Sequence, residues 1–113
     1  MRGLNLLVLR CRDVEQSRVF YELMGMKFEK HRHGNGPEHH AHVDERGVFE
    51  LYPAKGELGD MTGLGFEAEN LEALARHLKQ QGFEPSPPAE NPWGWTFVVK
   101  DPDGRRVEVK QRA

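Results

Sequence analysis

Cysteine is almost absent from this chain: Cys11 is the only one among 113 residues. A lone thiol closes no internal disulfide and supplies no paired-cysteine metal motif, so a reducing, cytoplasmic setting is expected. An excess of charge of one sign is also missing. Lysine and arginine total 16 against 18 acids, a formal net charge of -2 with the two signs interspersed. The basic stripe that nucleic-acid binding requires is not there. No apolar run approaches the length needed to span a membrane. The stretch from Met1 to Leu9 is too short for a secretory signal and precedes no small-residue cleavage site. Gly34-Asn35-Gly36-Pro37 is too short to cradle phosphate and follows no strand-to-helix turn, and no Ser-His-Asp arrangement is apparent.

What remains is one domain's worth of chain, with 37% hydrophobic and 30% charged residues. Leu4 to Leu9 is a nearly all-apolar run, which predicts a strand buried on both faces. Asp13 followed by Gln16 is a capping pair that opens a helix, with Val14, Ser17, Phe20, Tyr21 and Met24 facing inward and Gly25 as its stop. Met26 to His33 reads as a second strand. His39 to Val43 and Val48 to Tyr52 read as a hairpin around Asp44-Glu45-Arg46-Gly47. The polar stretch from Ala54 to Met61 reads as a linker.

The second half repeats the theme. Leu64 and Phe66 alternate with glycines, as in a strand. Leu71, Leu74, Ala75 and Leu78 recur at helical spacing and predict a helix with a buried leucine face, closed by Gly82. Pro85, Pro87, Pro88 and Pro92 predict a stiff extended connection. Trp95 to Val99 and Arg105 to Val109 read as strands joined by the tight turn Asp101-Pro102-Asp103-Gly104.

A shift of 57 residues superimposes the halves: Asp13 falls on Asn70, Val14 on Leu71 and Gly25 on Gly82. With one inserted residue, Val48-Phe49-Glu50-Leu51 falls on Arg106-Val107-Glu108-Val109. The expected fold is therefore α+β: two βαβββ modules whose curved mixed sheets, each with one helix, surround a cavity. The modules are expected at about 1–54 and 62–113 with a linker over 55–61, forming a single domain. Neither module covers both of its faces alone, so pairing within the chain or across a homodimer is expected.

The stretches Asp13-Val14-Glu15-Gln16-Ser17, Phe20-Tyr21, Gly25-Met26, Val48 to Pro53 and Asp101 to Glu108 resemble the vicinal oxygen chelate superfamily. It includes glyoxalase I, bleomycin-resistance proteins and extradiol dioxygenases. The resemblance spans essentially the whole chain and is specific for a fold rather than a reaction. It implies a divalent-metal position supplied by four strand residues, which fall here on Leu6, Glu50, Gly63 and Glu108. Leu6 has no donor atom and Gly63 no side chain, so only the glutamates match. Two carboxylates are too few for a site of this kind, which normally takes at least three protein ligands. No metal cofactor is expected. The alternative is a divalent zinc, nickel, manganese or iron ion completed by His39, His40 or His42, in a lyase, isomerase or dioxygenase acting on vicinal oxygens.

The hairpin register decides that alternative. If Val43 pairs with Val48, Ala41 opposes Glu50 and the histidines straddle both faces; one residue tighter, and His40 opposes Glu50. Glu50 and Glu108 have two readings: structural ion pairs, with Arg106 beside Glu108, or a polar clamp or general base. Placing Phe97 opposite Glu108 puts Trp95, Phe97 and Val99 on the glutamate's face. Val48 and Tyr52 would share the face of Glu50, and Leu6 and Val8 would share one face of the first strand. The candidate set is Glu50 and Glu108 for chemistry, with Leu6, His40, Tyr52, Trp95, Phe97 and Arg106 lining a small-molecule site. The leading expectation is a binding protein for a small, partly aromatic or apolar molecule.

Overall fold

A computed structural model describes residues 3–56 and 62–112; the expected linker segment 57–61 lies outside the described residues. The chain divides into two compact units, Met1–Gly59 and Asp60–Ala113. The first holds β1 (Leu6–Cys11), α1 (Val14–Leu23), β2 (Glu29–His31), β3 (His39–Asp44) and β4 (Gly47–Pro53). The second holds β5 (Leu64–Ala68), α2 (Leu71–Gln80), β6 (Ala89–Asn91), β7 (Gly94–Lys100) and β8 (Arg106–Gln111). The sheets have orders β1-β4-β3-β2 and β5-β8-β7-β6. In each, the first strand runs parallel to the last and the other pairings are antiparallel. Both units are thus the βαβββ arrangement.

The helix boundaries follow from local chemistry that the halves share. The Asp13 carboxylate accepts from the backbone N–H groups of Glu15 and Gln16, at 3.0 and 3.2 Å. Asn70 caps α2 through Ala73 N–H at 3.1 Å. Each helix then stops on a glycine at positive φ, +105° at Gly25 and +93° at Gly82. The residue after each glycine donates back across the last turn, Met26 to the Tyr21 carbonyl and Phe83 to that of Leu78.

Each helix packs on one face of its own sheet. In the first unit Leu9, Cys11, Phe20, Tyr21 and Leu51 are buried, with the Tyr21 and Phe49 rings 5.1 Å apart. In the second, Leu71, Leu78, Phe97, Val99, Val107 and Val109 are buried. Leu74, expected in the buried face of α2, is only half-buried.

Three expectations need correction. The first strand is not buried on both faces: among the described residues β1 lies at the edge of its sheet, paired with β4, and Leu6 is 50% exposed. The strand expected over Met26–His33 is confined to Glu29–His31. The proline-rich connection also yields a short strand that the sequence reading omitted, β6, immediately after Pro88, where donors become available again.

Candidate functional site

The face of each sheet opposite its helix carries the polar side chains of interest. In the first unit Phe49 meets Tyr21 of α1, so its neighbours Val48 and Glu50 point the other way. Pairing of Val8 and Ala41 with Glu50, and of Leu6 and Val43 with Val48, completes this open face. Leu6, Val43 and Val48 form an apolar row across three strands, with Val43 69% exposed.

The next two rows are polar and aromatic. The Glu50 carboxylate lies 3.4 Å from Nε2 of His39. The His39 ring stacks on Tyr52, centroids 4.1 Å apart and planes 8° from parallel. The Arg10 guanidinium lies over the Tyr52 ring at 4.8 Å. His31 and His33 approach His39 with centroids at 5.9 and 5.0 Å. His39 is buried, and its Nε2 makes no hydrogen bond of good geometry although a carboxylate faces it. Nδ1 faces the Pro37 carbonyl at 3.4 Å. Both ring nitrogens therefore look at acceptors, and a neutral imidazole can donate to only one of them.

The observed register is the first of the two alternatives: Val43 pairs with Val48 and Ala41 with Glu50. His40 pairs with Leu51, on the helix side, where its Nε2 sits 3.3 Å from the Glu15 carboxylate. Burial there pushes the His40 pKa below its usual 6.5, against the pull of Glu15. His42 also faces the helix side, against Phe28 and the Lys27 backbone. The histidine next to Glu50 is His39.

The second unit corrects another register. Val98, not Phe97, opposes Glu108, and Phe97 opposes Val109. Phe97 and Val99 lie on the α2 side, and Trp95 reaches that helix by donating from Nε1 to Glu72 at 3.0 Å. On the open face, the Glu108 carboxylate accepts from Nε1 of Trp93 at 3.1 Å and lies 3.8 Å from Arg106. Trp93, which sequence reading passed over, is 54% exposed. Gly65 is the β5 neighbour of Glu108.

The sequence-derived candidates therefore separate. Leu6, Glu50 and Tyr52 share one open face, and Glu108 and Arg106 share the other. His40, Trp95 and Phe97 lie on the helix sides. His39, Arg10 and Trp93 join the open faces.

The residues present do not fit the metal position implied by the family. Leu6 and Gly63 offer no donor, Glu50 is faced by His39, and Glu108 already accepts from Trp93. Among the described residues no three His, Cys, Asp or Glu side chains are arranged to hold an ion.

Comparison with known proteins agrees with this architecture. The family model described as "Glyoxalase/Bleomycin resistance protein/Dioxygenase superfamily" matches residues 3–109, and the chain belongs to that superfamily. No curated protein matches it. Among solved structures it is similar to TnmS3, an antibiotic binding protein from Streptomyces sp. CB03234 (TM-score 0.80, 21% identity, 98% of this chain and 96% of that one). It is also similar to a possible glyoxalase from Bacillus cereus (0.73, 27%, 96% and 97%). A third is an integron cassette protein from the mobile metagenome of V. cholerae (0.73, 25%, 98% and 95%). At 21% identity the likeness to TnmS3 is one of fold.

His40 should make stability pH-dependent. Its folded pKa is depressed, so the unfolded chain binds the proton more readily, and this contribution is present above the unfolded value of 6.5 and lost as pH falls below it. Urea midpoints should therefore fall between about pH 7 and 5. His40→Leu should flatten that part of the profile. An unchanged slope in the variant would assign it to other groups.

Proposed function

We propose that this protein binds a small, partly aromatic or apolar molecule on the open faces of its sheets, with no metal at the family position. The observation that carries the reading is the pairing of lost and gained chemistry. Two of the four metal positions have no donor, while the open face around Glu50 offers an apolar row beside a stacked aromatic one. Apolar walls with few polar groups are the make-up of small-molecule sites. That TnmS3 is an antibiotic binding protein of the same fold supports this reading. Glu50 and Glu108 act as polar clamps, with Tyr52, Arg106 and Leu6 as contacts. The protein works as a homodimer in a reducing, cytoplasmic compartment and binds neither nucleic acid nor membrane.

A thermal-shift screen of aromatic and apolar small molecules tests the reading. A ligand at about 100 times its Kd adds roughly 2.7 kcal/mol to the stability of the native state. Glu50→Gln should reduce the shift while leaving the unliganded melting temperature nearly unchanged. Stoichiometric stabilisation by zinc, nickel, manganese or iron, lost in Glu50→Gln or Glu108→Gln, would replace this reading with the metal-dependent enzyme. Sedimentation as a monomer at micromolar concentration would remove the homodimer.

A further inference from the structure

The open face of the second unit carries a feature that the clamp reading does not use. Gly65 on β5 and Gly63, just before that strand begins, are both exposed, and Gly65 pairs with Glu108. A Cβ built on Gly65 would meet no atom within 4 Å, so a strip of bare backbone lies open beside the carboxylate. Trp93 is tied to that carboxylate through its side chain, and its backbone is anchored nearby. Its Nε1 donates to Glu108, and its backbone N–H donates to Asn91 at 3.1 Å. Asn91 is itself held by Thr96 at 2.6 Å. An indole held by its edge and half exposed presents a π face of defined direction.

Two residues along β7 and β8 from the Val98–Glu108 pair, two cations face each other. Lys100 pairs directly with Arg106, and both point away from α2 because their neighbours Val99 and Val107 are buried against it. Like charges at directly opposed positions destabilise a sheet. Among the described residues the Arg106 guanidinium has the 3.8 Å approach of Glu108 to offset this. An anion between the two cations removes the repulsion.

We propose that this face is a binding site for a planar aromatic molecule bearing one acidic group. The ring lies along the glycine strip against Trp93, and the acid pairs with Lys100 and Arg106. Glu108 holds the indole in place, so the residue at the family's metal position here serves as a latch. The inference rests on the small-molecule reading and adds the ligand's class.

The test uses anthraquinone-2-sulfonate as a planar acid, cyclohexanesulfonate as a non-planar acid and proflavine as a planar cation. The chain has two tryptophans, so a Trp95→Phe background leaves Trp93 as the only indole reporter. Anthraquinone-2-sulfonate should quench its fluorescence saturably, and each of the other probes should bind at least about tenfold more weakly. Lys100→Gln should weaken the planar acid by about tenfold, the loss of one charge-assisted contact. Gly65→Val should abolish binding by filling the strip. That variant should fold, because valine suits an exposed strand position and its Cβ has room. Equal affinity in wild type and Gly65→Val, preference for proflavine, or no saturable quenching by the planar acid would each overturn the proposal. Binding of a screened ligand that depends on Glu50 but not on Gly65 or Lys100 would remove this inference and leave the proposed function standing. Binding that depends on Gly65 and Lys100 but not on Glu50 would support it and move the site to the second unit alone.

Discussion

Gly47→Ala should be among the most damaging single substitutions in this protein, costing about 3–5 kcal/mol or preventing folding of the first unit. Gly47 opens β4 with φ at +146°, where an L side chain is strained. The larger cost is steric. An alanine Cβ would overlap the Asn5 carbonyl oxygen and would lie 2.6 Å from its carbon and 2.7 Å from Asn5 Cα. These are backbone atoms and cannot rotate aside. Relief requires moving the start of β1, which breaks the 2.8 Å bond from Val48 N–H to the Asn5 carbonyl and the parallel pairing that begins there. Gly25→Ala is the control: it also has positive φ, but its Cβ would meet nothing within 4 Å. Backbone strain alone should then cost about 1–2 kcal/mol. Urea unfolding followed by circular dichroism separates the two, and equal losses would refute the steric account.

Arg105→Ala should cost about 3–5 kcal/mol, because it strands buried carboxylates. The Arg105 side chain is fully buried and pairs with Asp101 at 3.1 Å and Asp103 at 3.4 Å, themselves almost inaccessible. Asp101 also accepts from the backbone N–H groups of Asp103 and Arg105, both at 2.9 Å, so the same carboxylate shapes the turn into β8. Losing the cation therefore loosens the turn as well as leaving its charge uncompensated. Arg105→Ala combined with Asp103→Asn should recover part of the loss, since one orphaned charge is removed with the partner. A loss below about 1 kcal/mol in Arg105→Ala would place this pair among the solvated ones that contribute little.

Much of the fold was legible because its determinants are local. Capping at Asp13 and Asn70, glycine stops at Gly25 and Gly82, and the leucine spacing of α2 act within one or two helical turns. The matched order of these signals made the two-module reading possible. Strand faces were less legible. Phe97 opposite Glu108 and Val98 opposite Glu108 are equally good readings of the same residues. The choice is set by how the Asp101–Gly104 turn closes around Arg105. Trp93 carries no local signal, because its partner, Glu108, lies 15 residues away and comes near through the β6–β7–β8 pairing. His39 stands in the sequence as one of three neighbouring histidines, and alternation alone cannot say which one meets Glu50.

By itself the sequence determined the two-fold repeat, the helix limits, the family and the residue types at the positions that the family resemblance implies for a metal, for these depend on residue type and short-range spacing. Tertiary structure alone decided which side chains share a surface. A β-strand sends successive residues to opposite faces, so a shift of one residue in pairing moves every side chain across the sheet. That single degree of freedom placed His39 rather than His40 beside Glu50. It turned Trp95 and Phe97 toward α2, and it left Glu108 with Trp93 and Gly65 on the open side.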